Sequence, residues 1–264
     1  TPTSTPIIGP VGDNSWGTGS TPNSALLNGE PSGSGTNGQF LISIVAIQGI
    51  GTTNSTGAAS ANICLPTMPG PWILIGDWSC NGGGSNQIQV AAAYRFTTSA
   101  DAPGNAFSWT FSSTPCNSPT AETFKASSTN TVYSNISMST PIDVVGSPSC
   151  ELGSTGSPVV ASAITTNGSN ELIVGIFDAA GAGQQLSLPG TGSDLGPVVS
   201  ESNTNQGPAN FTAFANTLEV GMGAPCDGFN DGECGPAGSY GPFSATQQAS
   251  GEGLGLALAL IPGM

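Results

Sequence analysis

Leu254-Gly255-Leu256-Ala257-Leu258-Ala259-Leu260 alternates a large apolar residue with a glycine or an alanine. Successive side chains of a β-strand point to opposite faces, so this period of two reads as a strand with all its leucines on one side. A strand with one side in water carries polar residues there. Gly255, Ala257 and Ala259 are instead small, which lets something approach that side closely. Either a loop of the same chain or a neighbouring subunit covers it, and these three residues are candidate assembly positions.

Working back along the chain, Ile88, Val90, Ala92, Tyr94 and Phe96 share one face within Gln87 to Phe96, with Ala91 and Ala93 on the other. Phe40 to Ile47 is a nearly continuous apolar run of strand length. Further strands are expected at Trp72 to Trp78, Phe107 to Phe111, Thr131 to Ile136, Val159 to Thr165, Leu172 to Phe177, Phe211 to Val220 and Phe243 to Gln248. Gly, Asn, Ser and Pro separate these runs, and no segment carries a capped helical stripe. The pattern predicts an all-β chain, a β-sandwich or jelly-roll-like fold with an extended N-terminal segment. Residues 1–38 form that segment and 39–264 a single sandwich domain. Within the segment, Ile7, Ile8 and Val11 make a short apolar patch whose flanking prolines oppose a place in the middle of a sheet. They are candidate assembly residues, joining one subunit to the next by strand addition.

Composition narrows the function. Only 2 residues are Lys or Arg against 16 Asp and Glu, and the net charge is −14. Gripping nucleic acid or an anionic membrane surface needs clustered cations, which Arg95 and Lys125 do not supply. Charged residues make up 7% of the chain, against about 25% in an average domain, so a salt-adapted cytoplasmic protein is a poor fit. No apolar run approaches the roughly 20 residues that span a bilayer, and membrane insertion is not expected. The first residue is Thr1, as in a secreted protein whose signal peptide has been removed.

The cysteines Cys64, Cys80, Cys116, Cys150, Cys226 and Cys234 are even in number, and none forms a CxxC pair. Without histidine, a mixed zinc site cannot be completed. Disulfides are therefore expected, and with them an oxidising compartment. The connectivity stays open. Local closures are the simplest, with Cys64 to Cys80, Cys116 to Cys150 and Cys226 to Cys234.

The absence of histidine also removes Ser-His-Asp and Cys-His catalysis in their usual form. Gly82-Gly83-Gly84 has no following Lys and helix, so it is a turn and no phosphate loop. A glycosidase needs two carboxylates flanking a sugar cleft. Asp77 stands between Trp72 and Trp78, and Glu122, Asp143 or Glu151 are conceivable partners, but chance supplies such pairs among so many carboxylates. The expectation is no enzyme, no cofactor and no catalytic residue. Asp227 to Glu233 packs three carboxylates between Cys226 and Cys234, oxygen ligands of the kind calcium takes, but the spacing is not that of an EF-hand and a plain solvated acidic turn is the expected reading. Asn54, Asn135, Asn167 and Asn210 head Asn-x-Ser/Thr sequons and are candidate glycosylation sites; attached glycans would help keep so weakly charged a surface in solution.

Several motifs, in order, resemble a family of secreted bacterial β-sandwich modules rich in Gly, Ser and Thr. They are Phe40-Leu41-Ile42-Ser43-Ile44-Val45-Ala46, Pro69-Gly70-Pro71-Trp72, Val90-Ala91-Ala92-Ala93-Tyr94-Arg95-Phe96, Phe107-Ser108-Trp109-Thr110-Phe111, Thr140-Pro141-Ile142-Asp143, Glu171-Leu172-Ile173-Val174-Gly175-Ile176-Phe177 and the closing leucine-alanine strand. The resemblance implies a jelly-roll-like sandwich on an extracellular or cell-surface protein, with no set activity. The six cysteines and the long N-terminal extension depart from the family. With that extension the chain is more loosely similar to subunits of environmental extracellular filaments. The expected function is thus a structural subunit of a filament or surface assembly, its partners copies of itself in a helical homo-oligomer. The alternative is a secreted carbohydrate-binding or adhesive module using Trp16, Trp72, Trp78 or Trp109.

Overall fold

The computed structural model describes residues 7–11, 25–29, 37–48, 62–67, 70–80, 88–101, 105–112, 114–118, 125–169, 171–181, 186–187, 198–203, 214–223 and 237–263. These form nineteen strands and no helix: β1 (Ile7–Val11), β2 (Ala25–Gly29), β3 (Phe40–Gln48), β4 (Asn62–Cys64), β5 (Ile73–Cys80), β6 (Ile88–Phe96), β7 (Ala106–Ser112), β8 (Lys125–Ser134), β9 (Ile142–Val145), β10 (Ser149–Gly153), β11 (Pro158–Ala161), β12 (Ile164–Thr165), β13 (Leu172–Gly181), β14 (Leu186–Ser187), β15 (Val198–Asn203), β16 (Phe214–Gly223), β17 (Ser239–Tyr240), β18 (Phe243–Gln247) and β19 (Gly251–Leu260). Every pairing is antiparallel. Two large sheets run β1-β8-β3-β6-β5 and β10-β19-β13-β16-β15, with β9 also on β19. Three small sheets, β2-β7-β4, β11-β18-β14 and β12-β17, are the others among the described residues.

The all-β, sandwich-like fold expected from the alternating runs is present, and its core is deeper than two sheets require. Phe40, Ile42, Ile44, Ile88, Val90 and Ala92 on one large sheet meet Leu172, Val174, Ile176 and the leucines of β19 on the other. The reverse face of the first sheet, with Leu41, Val45, Ile47, Ala91 and Ala93, is covered by Phe107, Trp109 and Phe111 of β7. The reverse face of the second, with Ile173, Phe177, Ala257 and Ala259, lies under Val159 and Ala161 of β11 and Phe243 and Ala245 of β18. Strands covered on both sides read as continuous apolar runs. That is why β3 and β13 lack a polar face. Each fully buried leucine of β19 contributes about 2 kcal/mol.

This stacking corrects the assembly reading of the last strand. Gly255, Ala257 and Ala259 face strands of their own chain, not a neighbouring subunit. A Cβ on Gly255 would stand 2.2 Å from the Val160 carbonyl oxygen, and one on Gly253 2.5 Å from Val159 Cγ2. The small residues exist so that β11 can cross β19 closely, and no docking surface is left there.

Other boundaries moved. Val159 to Thr165 splits into β11 and β12, and the described part of the strand expected from Phe211 to Val220 begins at Phe214 and continues to Gly223. Residues 1–38 also do more than precede the sandwich. Ile7–Val11 adds to the outer edge of β8, with Ile7 opposite Ser134 and Val11 opposite Thr131. Ala25–Gly29 pairs with β7 in the small outer sheet. Pro10 suits the edge position of β1, and the register shifts between Ile8 and Val11.

Candidate functional site

The cysteines are joined differently from the local closures. Cys64 bonds Cys116 and Cys80 bonds Cys150, with Cα separations of 5.5 and 5.6 Å. The physical reason is layering. Cys64 ends β4 in the outer sheet, whereas Cys80 faces the central core on the other side of the first large sheet. A Cys64–Cys80 bond would have to pass through that sheet. Cys116 follows β7 in the outer layer, and Cys150 lies on β10 in the second large sheet, so they too are kept apart. Closing loops of 52 and 70 residues stabilises the fold by about 4 kcal/mol each through restriction of the unfolded chain. Cys226 and Cys234, with the acidic turn between them, lie outside the described residues, as do Trp16, Glu122, Asn54 and Asn210.

The tryptophans are divided between layers. Trp109 is fully buried, and its indole N–H donates to Ser43 Oγ at 2.9 Å. Trp72 is buried against Phe107, with ring centroids 4.7 Å apart. The Arg95 guanidinium sits 5.3 Å from the Trp72 ring centre. Arg95 also makes a two-pronged, buried ion pair with Asp101, whose carboxylate accepts from Thr98 as well. One of the chain's two cations is thereby consumed inside the fold. Trp78 is half-buried on the edge strand β5. Trp72 and Trp109 offer no sugar-binding platform, because they are core residues.

Of the carboxylates named as a glycosidase set, the described ones, Asp77, Asp143 and Glu151, do not share a strand pair. Asp77 is on β5, where the Gln89 side-chain amide donates to both its oxygens at 2.9 and 3.1 Å. Shielding of the carboxyl from water pushes Asp77 up, and the Gln89 bond only partly offsets this. Glu151 is on β10 and Asp143 on β9, both in the second large sheet. Asp143 does meet another carboxyl, one that the sequence reading passed over. Asn167 donates to it through its backbone N–H at 2.7 Å and its side chain at 2.9 Å, and Glu171, the residue before β13, contributes a neighbouring carboxyl. Glu171, buried to 5% exposure, accepts from the Gly168 N–H at 2.9 Å. Burial first, then the charge of Asp143, raises Glu171 to about 7. Burial also pushes Asp143 upward, but the bonds from Asn167 and the neighbouring Glu171 carboxyl outweigh that and hold it below the ordinary value. No sequence spacing signals this pair, since the two residues come together only where β9 and β13 flank β19.

Among the glycosylation candidates, Asn135 is exposed in a left-handed turn after β8 with φ of 58°. Asn167 is exposed, but its amide is committed to Asp143. Among the described residues, no group of three or more His, Cys, Asp or Glu is arranged to hold a metal ion. Among them also, no helix is long and apolar enough to cross a membrane, which says nothing of β-barrels. The disulfides are compatible with an extracellular setting.

β1 and β5 bound the first large sheet, and β10 and β15 lie at the ends of the second. Of the large apolar side chains exposed among the described residues, Ile73 and Leu74 belong to β5 and Leu152 to β10; the other is Met138. Compared with family models, curated proteins and solved structures, the chain matches none.

Proposed function

We propose that the protein is a secreted structural subunit of an extracellular filament or surface assembly, in which β1 of one copy takes the place of β1 on the next. The observation that carries this reading is the position of Ile7–Val11 as an edge strand on β8, outside the segments tied by Cys64–Cys116 and Cys80–Cys150. Residues 12–24 connect it to β2. Fully extended, that connection reaches about 40 Å, enough to hand β1 to a neighbour. An exchanged strand makes the same ladder hydrogen bonds between copies that it makes within one. The exchange is head to tail, and it propagates unless the rotation closes a ring. The buried layers suit a passive, rigid building block, and the resemblance of the strand motifs to extracellular modules points to the same compartment.

Deleting residues 1–12 tests the proposal. The expected product is a folded monomer in which added peptide 1–14 binds the vacated β8 edge. Undiminished assembly of the truncated chain would overturn the reading, and so would outright unfolding, because β1 would then be an ordinary part of one subunit's fold.

A further inference from the structure

Glycine has no Cβ, so the backbone nitrogen of a glycine that follows an asparagine attacks the asparagine side-chain carbonyl carbon with little hindrance. Asn-Gly pairs occur at Asn28, Asn37, Asn81 and Asn167. At Asn167–Gly168, an exposed turn after β12, the fold holds both reacting groups. The Asn167 side-chain amide donates to Asp143 Oδ1 at 2.9 Å, and its backbone N–H donates to Asp143 Oδ2 at 2.7 Å. The Gly168 N–H donates to Glu171 Oε1 at 2.9 Å. A Cβ at 168 would clash with that same Glu171 oxygen, so only glycine lets the carboxyl close on the turn. Asn37–Gly38, in the turn before β3, is the contrast. Its Gly38 N–H donates to the Thr97 carbonyl at 2.8 Å, but Asn37 is exposed and no bond holds its side-chain amide among the described residues.

We propose that Asn167–Gly168 is a self-modifying site, restrained in the folded chain by Asp143 and Glu171, which deamidates once those bonds open. The freed Gly168 nitrogen attacks Asn167 Cγ. A C–N bond forms between them and closes a succinimide ring, the Cγ–Nδ2 bond breaks, and the Gly168 proton leaves with Nδ2 as ammonia. Water then opens the ring at either carbonyl and leaves an aspartyl or an isoaspartyl residue. Water is the sole co-reactant.

The product resists closure of the turn. A carboxylate replaces the amide that donated to Asp143, and a carboxylate only accepts. Arg95 cannot offset the new charge, because it is bonded to Asp101. The isoaspartyl form also adds an atom to the main chain beside Thr166, whose N–H donates to the Gly238 carbonyl at 2.9 Å, and close to the pairing of Ile164 with Tyr240. Conversion further removes the sequon that Asn167 heads. An opening of this corner is thereby recorded irreversibly in the covalent structure. The inference does not depend on strand exchange by β1.

Peptide mapping of the full chain, with aspartyl and isoaspartyl products resolved, is the test. Native protein is held at mildly alkaline pH beside protein unfolded in urea with its disulfides reduced. In the unfolded chain Asn37 and Asn167 should convert at similar rates. In the native protein Asn167 should convert at least about tenfold more slowly than Asn37, the factor that one hydrogen bond to a charged group corresponds to. Asp143→Ala frees the amide and Glu171→Ala frees the Gly168 N–H, and each should speed native conversion by a similar factor. Glu171→Gln keeps an acceptor for Gly168 and should stay slow. Equal native rates at Asn37 and Asn167 would overturn the proposal, as would a folded Asp143→Ala protein no faster than wild type. Slower conversion in Glu171→Gln than in wild type would also overturn it, because Glu171 would then be a base that promotes the attack. If the alanine variants do not fold, the native comparison of Asn37 with Asn167 decides alone.

Discussion

On one side of the central sandwich, β5 and β10 are joined across the two large sheets by Cys80–Cys150. On the other, β1 and β15 lie beside one another, and β1 is held to its sheet by the ladder to β8. The two sides differ in what can leave. A disulfide fixes both partners for the life of the folded chain, whereas ladder bonds to an edge strand can be replaced one for one by those of an identical strand. The composition follows the same division. Ile75 and Trp78 of β5 pack against the core. β1 carries a glycine, a proline and a register shift, features that weaken commitment to a continuous sheet.

The largest expected effect comes from fixing the exchangeable side. Ile7 and Ser134 are register partners, so Ile7→Cys with Ser134→Cys can form a bond either within a chain or between chains. Oxidising assembled material and running it denatured without reductant should give a ladder of covalent multimers. A single-chain band alone would mean that both sides are closed within one subunit, and the contrast would collapse. Next in size is removal of the fixed staple. Cys80→Ser with Cys150→Ser should cost about 4 kcal/mol in denaturant unfolding while leaving assembly of the folded fraction intact. Assembly lost in step with the staple would make that side, not β1, the interface. A smaller effect separates inside from outside on β19. Gly255→Ala should destabilise the fold by about 2 kcal/mol, because the new methyl meets the Val160 backbone. It should not alter assembly per folded molecule. Unchanged stability with lost assembly would restore Gly255 to the docking role that its position under β11 denies it.

Where side chains alternate or run apolar, the fold could be read directly: β3, β6, β7 and β19 lie within a few residues of their expected ends. β8 resisted because its first seven residues, Lys125-Ala126-Ser127-Ser128-Thr129-Asn130-Thr131, are mostly polar, yet Ser128, Thr129 and Asn130 are fully buried. Burial of such residues follows from hydrogen bonding after the layers have closed, which no periodicity announces. β10, with Ser149-Cys150-Glu151-Leu152-Gly153, is a strand because β19 offers it an edge, not because its residues favour one. The cysteine pairing was hidden for a related reason. Sequence proximity says nothing about which side of a sheet a strand end faces. The Asp143–Glu171 pair depends on β9 and β13 flanking the same strand, a neighbour relation visible only once the strand order is known.

The smallest effect concerns how firmly β5 belongs to its sheet apart from the disulfide. Asp77 and Gln89 sit on adjacent strands, and the side-chain amide grips both carboxylate oxygens. Gln89 is buried, so Gln89→Leu keeps much of its packing while removing that donor. The loss should be about 1.5 kcal/mol at neutral pH, the lower end of the scale for a hydrogen bond to a charged group. The pH dependence gives the sharper reading. Asp77 is already raised above 3.8 by its shielding from water, against the pull of Gln89. Without Gln89 it should rise further. A raised carboxyl stabilises the fold below its unfolded value and loses that contribution as the pH climbs through its folded value. The variant's deficit should therefore be small below pH 3.8 and grow above it. Chemical denaturation at several pH values, with the Asp77 carboxyl followed by carbon-13 titration, measures both quantities. A constant deficit with an unmoved Asp77 midpoint would assign Gln89 to packing alone and leave Cys80–Cys150 as the main tie that separates this side of the sandwich from the other.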